Sequence, residues 1–152
     1  MAESNIDQFD KAVGLILAEL YQNFPIRILI QPITAKSSSP SDPTIKGWDD
    51  SYFNQLAIFK STMSWLIQAG YIWSEKQDGT DELVGIFKEC VLSAKGLEVL
   101  KTPDSLTGIS IGTQLQDAAK DGVLSSVKSL TEKALGIGAQ MGFSAATAWA
   151  GS

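Results

Sequence analysis

The sequence of 152 residues predicts a mostly α chain with a small antiparallel β-hairpin, an α+β fold carrying an additional C-terminal helical region. Three observations predict it. Apolar residues recur at spacings of three and four in several stretches, two short β-rich runs flank an Asp-Gly turn, and from Ser105 onward Gly, Ala, Ser and Thr take over. Residues 1–104 accordingly read as one globular domain, and residues 105–152 as a helical Gly/Ala-rich region that serves as a tail or a dimerisation element.

The first helix is expected where Phe9, Val13, Ile16, Leu17, Leu20 and Phe24 share one face, and Pro25 stops it because proline lacks the N–H that the next turn needs. Ile26, Ile28 and Ile30 then alternate as in a short strand, which Pro32 confines to an edge or an end. Thr34 to Pro43 holds five Ser or Thr and two Pro, the composition of a loop. A second helix follows, with Phe53, Leu56, Phe59, Met63, Leu66 and Ile67 as its buried side and Gly70 as its C-terminal stop. Tyr71 to Glu75 is expected to pair antiparallel with Ile86 to Leu92 across a turn at Asp78-Gly79. Ser93 caps a short helix that ends before Pro103. Beyond it, Leu115, Ala119, Val123, Val127, Leu130 and Ala134 mark one continuous helical run.

Composition excludes several chemistries. There is no His and only one Cys, so no Ser-His-Asp or Cys-His pair can form, and neither a His-ligated metal nor a disulfide framework is available. Adjacent acids such as Asp49-Asp50 and Asp81-Glu82 diverge on either a helix or a strand. Gly136-Ile137-Gly138 lacks the further Gly and the preceding strand of a dinucleotide loop. The expectation is a protein without enzyme activity, catalytic residues, metal or cofactor. A start carrying Glu3, Asp7 and Asp10 is unlike a secretory signal, and the lone Cys90 suits a reducing compartment, so the chain reads as intracellular and cytoplasmic.

The order helix, strand, long helix, hairpin, short helix, with WLIQAGYIW followed by CVLSAKGLEVL, resembles a winged helix-turn-helix domain over about residues 8–102. Only Gly47 to Ser51 stands where that plan has a short second helix. The resemblance implies DNA binding, with the long helix in the major groove and Asn54, Gln55, Lys60 and Ser61 as the residues facing bases or phosphates. Charge opposes it. Residues 1–104 hold nine Lys plus Arg against fourteen Asp plus Glu, and the hairpin segment SEKQDGTDE one Lys against four acids, where phosphate contacts need cations. A protein-interaction or assembly module is therefore the leading expectation, with a DNA-binding regulator as the alternative.

Trp48, Trp65, Tyr71 and Trp73 cluster in sequence around the long helix and first hairpin strand, as core first, a protein-binding surface second and a ligand pocket third. In the C-terminal region Leu115, Val123, Val127 and Leu130, with Gly138 and Gly142 in a small-residue GxxxG spacing, suggest a homodimer contact. The uncharged stretch Ala134 to Ser152 also raises membrane insertion, weighed below packing or dimerisation because Gly, Gln and Ser dilute its hydropathy.

Overall fold

In the computed structural model, residues 4–32, 50–75 and 85–150 are described, the helical ends 50–53 and 142–150 as backbone only. The fold is mostly helical with a small three-stranded antiparallel sheet. Helix α1 (Asn5–Asn23) starts where the Ser4 hydroxyl accepts the Asp7 N–H at 3.2 Å, and it ends before a cis Phe24–Pro25 bond. Val13, Ile16, Leu17 and Leu20 are buried as their spacing requires. Strand β1 (Ile28–Ile30) follows. Ile26 is not part of it: its N–H bonds the Asn23 carbonyl at 2.8 Å, which holds it in the turn, and its side chain is exposed.

Helix α2 (Asp50–Gln68) buries Phe59, Met63 and Leu66, while Leu56 and Ile67 are half-buried at the margins of that face. Thr62 is buried too, its hydroxyl donating to the Ile58 carbonyl at 2.6 Å. Gly70 closes the helix with φ of 87°; its N–H bonds Ile67 O at 3.1 Å and the Tyr71 N–H bonds Leu66 O at 2.9 Å, the paired bonds of a Schellman end.

Strands β2 (Ile72–Trp73) and β3 (Phe87–Leu92) pair antiparallel, Ile72 opposite Leu92 and Trp73 opposite Val91. The expected turn at Asp78-Gly79, the loop 34–43, Trp48 and the side chain of Phe53 lie outside the described residues. Strand β3 occupies the middle of the sheet, with β1 on its other side. Ile28 faces Cys90 and Ile30 faces Phe87, so β3 carries one extra residue, a bulge formed with Glu89 at φ of 54°. The Arg27 guanidinium donates to the Glu89 carbonyl at 3.0 Å across this bulge.

Helix α3 (Ala94–Lys101) is capped by Ser93, whose hydroxyl accepts the Gly96 N–H at 3.0 Å and donates to the Gly70 carbonyl. Two helices follow where one was expected. Helix α4 (Ile111–Asp121) ends at Gly122, left-handed at φ of 73°, and helix α5 (Leu124–Ala150) begins beyond it. The apolar period runs on through Ala119 and Val123, but Gly122 accepts the turn at no steric cost and bonds the Ala118 and Ala119 carbonyls. Val123, placed in the turn, is 44% exposed.

The described side chains of α4 and α5 share one core with the elements before them. Ile111, Leu115, Val127, Leu130 and Ala134 belong to the same buried cluster as Val13, Ile16, Leu66 and Ile72. Helix α1 lies against both α4 and α5. Gly14 permits the second contact, since a Cβ there would overlap Thr131 Oγ1, and Gly112 of α4 meets the Tyr21 ring, where a Cβ would lie 2.7 Å from Cζ.

The connection before α4 is held by Asp104. One carboxylate oxygen accepts the Leu106 N–H at 3.1 Å; the other accepts from Lys133 Nζ at 3.0 Å and Gln114 Nε2 at 3.4 Å. These donors hold the carboxyl below its ordinary range, the Leu106 N–H first and Lys133 next.

Two outcomes follow for stability. Leu66→Ala removes a fully buried side chain and lowers the unfolding free energy by about 2–5 kcal/mol in urea titrations. A carboxyl held low in the folded state contributes above its unfolded value and loses that contribution as pH falls through the folded one. Asp104→Asn therefore lowers the urea midpoint at neutral pH, and its gap to wild type closes below about pH 4.

Candidate functional site

Three aromatic rings and one cation meet where α1, α2 and the start of β2 come together. Phe9 of α1 meets Trp65 edge-on, with ring centroids 5.2 Å apart, and Trp65 stacks on Tyr71 at 6.0 Å and 22°. Lys95 of α3 places Nζ 4.5 Å from the Tyr71 ring centroid and donates to the Ala69 carbonyl at 3.0 Å, at the negative end of α2. Within this stack the rings differ in access. Tyr71 is buried, and burial pushes its phenol up, whereas Trp65 is 42% exposed. Trp65 is thus a large ring held on two sides and open on its remaining surface.

Of the four aromatic candidates, Tyr71 is core, Trp65 is held and half open, and Trp73, opposite Val91, is 54% exposed. Trp48 lies outside the described residues. The stack also contains Phe9, which the sequence placed on the apolar face of the first helix but not with these rings, and Lys95: Phe9 and Trp65 are 56 positions apart, so no local spacing links them.

Among the nucleic-acid candidates, Asn54, Gln55 and Ser61 are exposed on α2 and Lys60 is half-buried. The outward face of α2 therefore presents Trp65 among short polar side chains, with Lys60 as the helix's one cation.

The proposed dimer residues fall mostly inside the chain. Leu115, Val127 and Leu130 are buried in the common core, which removes them from any surface a second copy can reach while the fold is intact. Gly138 is buried for a different reason: a Cβ there would overlap the Tyr71 hydroxyl, so this small residue lets a ring approach α5 within one chain. Val123 is exposed, and the surroundings of Gly142 are outside what is described. Among the described residues no helix is long and apolar enough to cross a membrane.

Cys90 is buried, with its sulfur 3.4 Å from the Phe87 carbonyl and 3.6 Å from the Ser74 hydroxyl. Burial pushes its thiol up, away from the thiolate that a nucleophile needs. Among the described residues no three acidic or Cys side chains gather as metal ligands would, and Asp49, Asp81 and Glu82 lie outside them.

The fit of Tyr71 against Gly138 gives a paired expectation. Gly138→Ala overpacks the contact and costs about 1–3 kcal/mol, whereas Gly136→Ala, two positions away on α5 with open space around it, gains up to about 1 kcal/mol from helix propensity. Thermal unfolding of the two variants shows shifts of opposite sign.

No known protein family, no curated protein and no solved structure matches this chain.

Proposed function

We propose that the protein is a non-enzymatic interaction module of winged-helix type that binds another protein chain through the face presenting Trp65, and that a second copy of itself is the first such partner. The observation that carries the reading is Trp65 itself, immobilised between Phe9 and Tyr71 yet 42% exposed. A ring already fixed in place loses little side-chain freedom on association, and buried Trp anchors supply much of the energy of protein interfaces. The winged-helix reading draws support from the element order α1, β1, α2, β2, β3, α3 and from the Gly70 and Ser93 joins. With Leu115, Val127 and Leu130 inside the core, self-association is assigned to the aromatic face rather than to the C-terminal helices. DNA binding is the weaker reading, because residues 1–104 carry nine cations against fourteen acids.

Light scattering on the full chain over a concentration series is expected to give a dimer, and Trp65→Ser is expected to weaken it about 30-fold, equivalent to about 2 kcal/mol. Circular dichroism on the variant checks that the fold is kept. A mass that stays monomeric, or a dimer that Trp65→Ser leaves unchanged, overturns the assignment. Titration with random duplex DNA separates the alternative: binding at micromolar concentration that falls steeply with salt, tighter than about 10⁻⁴ M, would put the DNA reading first.

A further inference from the structure

Helix α2 has two sides of different chemistry. One is buried at Phe59, Met63 and Leu66; the opposite one holds Asn54, Ala57, Ser61, Ser64, Trp65 and Gln68, all exposed and brought together by the helical period. None of these six is charged. The two charged residues of the helix are Asp50, at its start, and Lys60. Lys60 is half-buried and its stem lies off this side, beside Gly85, where a Cβ would come 3.5 Å from Lys60 Cγ.

A chain with a net charge of −5 repels its own copy. An uncharged helix face is where two copies approach with least repulsion and with no ion to strip of water. The chemistry of this face is also self-complementary. Across a twofold axis passing Ser61, two antiparallel copies of α2 set each residue opposite the one equally far on the other side of position 61. Trp65 then meets Ala57 of the second copy, and Gln68 meets its Asn54. A large ring faces a methyl group and one amide faces another, while Ser61 on the axis lets the helices come within the usual interaxial distance of about 8–10 Å. An axis at Trp65 would set two indoles against each other and hold the helices apart. Parallel pairing would do the same and bring like ends of the two helix dipoles together.

We infer that the self-contact is an antiparallel pairing of α2 with α2 of a second copy, with Ser61 on the twofold axis and Ala57 as the residue that receives Trp65. The inference rests on the reading of Trp65 as an interface anchor, and it adds the orientation of the two copies and the receiving position. Trp65 comes to the contact already held between Phe9 and Tyr71, so the ring that crosses to the second copy needs no rearrangement. The contact contains no ion pair. Salt therefore does not weaken the dimer, and it screens the repulsion between two negatively charged bodies.

The test uses the full chain. Ala57→Glu changes an exposed position two turns from Trp65 in its own chain, and it is expected to weaken the dimer on the order of 30-fold in light scattering, because a carboxylate then meets each indole. Ser125→Glu, exposed on α5, adds the same charge elsewhere and is expected to leave the dimer unchanged. Ser61→Cys is expected to form a disulfide-linked dimer on mild oxidation, since the axis brings its two copies together, whereas Ser125→Cys is not; the native Cys90 is buried and takes no part. If Trp65→Ser weakens the dimer while Ala57→Glu leaves it intact, or while Ser61→Cys gives no cross-link, this arrangement is overturned and the reading of Trp65 stands. A full chain that stays monomeric overturns both.

Discussion

The structure turns on Tyr71. Its position is set by the Gly70 end of α2, after which its carbonyl accepts the Ser93 N–H at 2.9 Å, its ring stacks on Trp65 beneath the Lys95 ammonium, and its hydroxyl reaches the space left by Gly138. One residue thereby ties the long helix, the hairpin, the short helix and the last helix together. Gly96 belongs to the same arrangement, because any Cβ there would overlap the Tyr71 carbonyl. Three glycines at 70, 96 and 138 serve one side chain, the first by its backbone angle and the other two by their lack of bulk. Protein interiors are packed too closely for such a residue to shift without moving its neighbours. The exposed Trp65 inherits its orientation from this junction, so its accessible face is set by packing rather than by its own rotamer preference.

A second constraint lies on α1. Its apolar stripe is wide enough to need several partners, and it obtains them from both ends of the sequence: α2 and the sheet on one side, α4 and α5 on the other. The C-terminal helices are thereby part of the body of the fold. A domain of about a hundred residues leaves much apolar surface exposed, and two further helices cover it. Leu115, Val127 and Leu130, which the sequence offered as a dimer contact, form part of that cover.

What could be read from the sequence was local. Ser93 three residues before Gly96, Gly70 after the last apolar turn, and the two β-rich runs around Ile72 and Cys90 each encode a contact within four residues or between neighbouring strands, and each appears in the structure. The break at Gly122 escaped because Ala119, Val123 and Val127 keep a spacing of four across it, so the apolar period hid a left-handed turn that one glycine permits. The site was less legible than the fold. That Gly138 accommodates a tyrosine 67 positions earlier, or that Asp7 meets Lys128 across two helices, depends on how separate helices cross, and no pattern within one helix records it.

The contact between Gly14 and Thr131 joins residues 117 positions apart, near opposite ends of the sequence. For a chain made from its N-terminus this imposes an order in time. At synthesis rates of about 5–20 residues per second, α1 emerges on the order of ten seconds before the helix that packs on it. Throughout that interval Ile16, Leu17 and Leu20 have only part of their final cover, and the nascent chain carries an apolar helix face that the finished protein conceals. Stability and vulnerability thus share one origin: the long-range closure that completes the core also makes its first helix wait for its last.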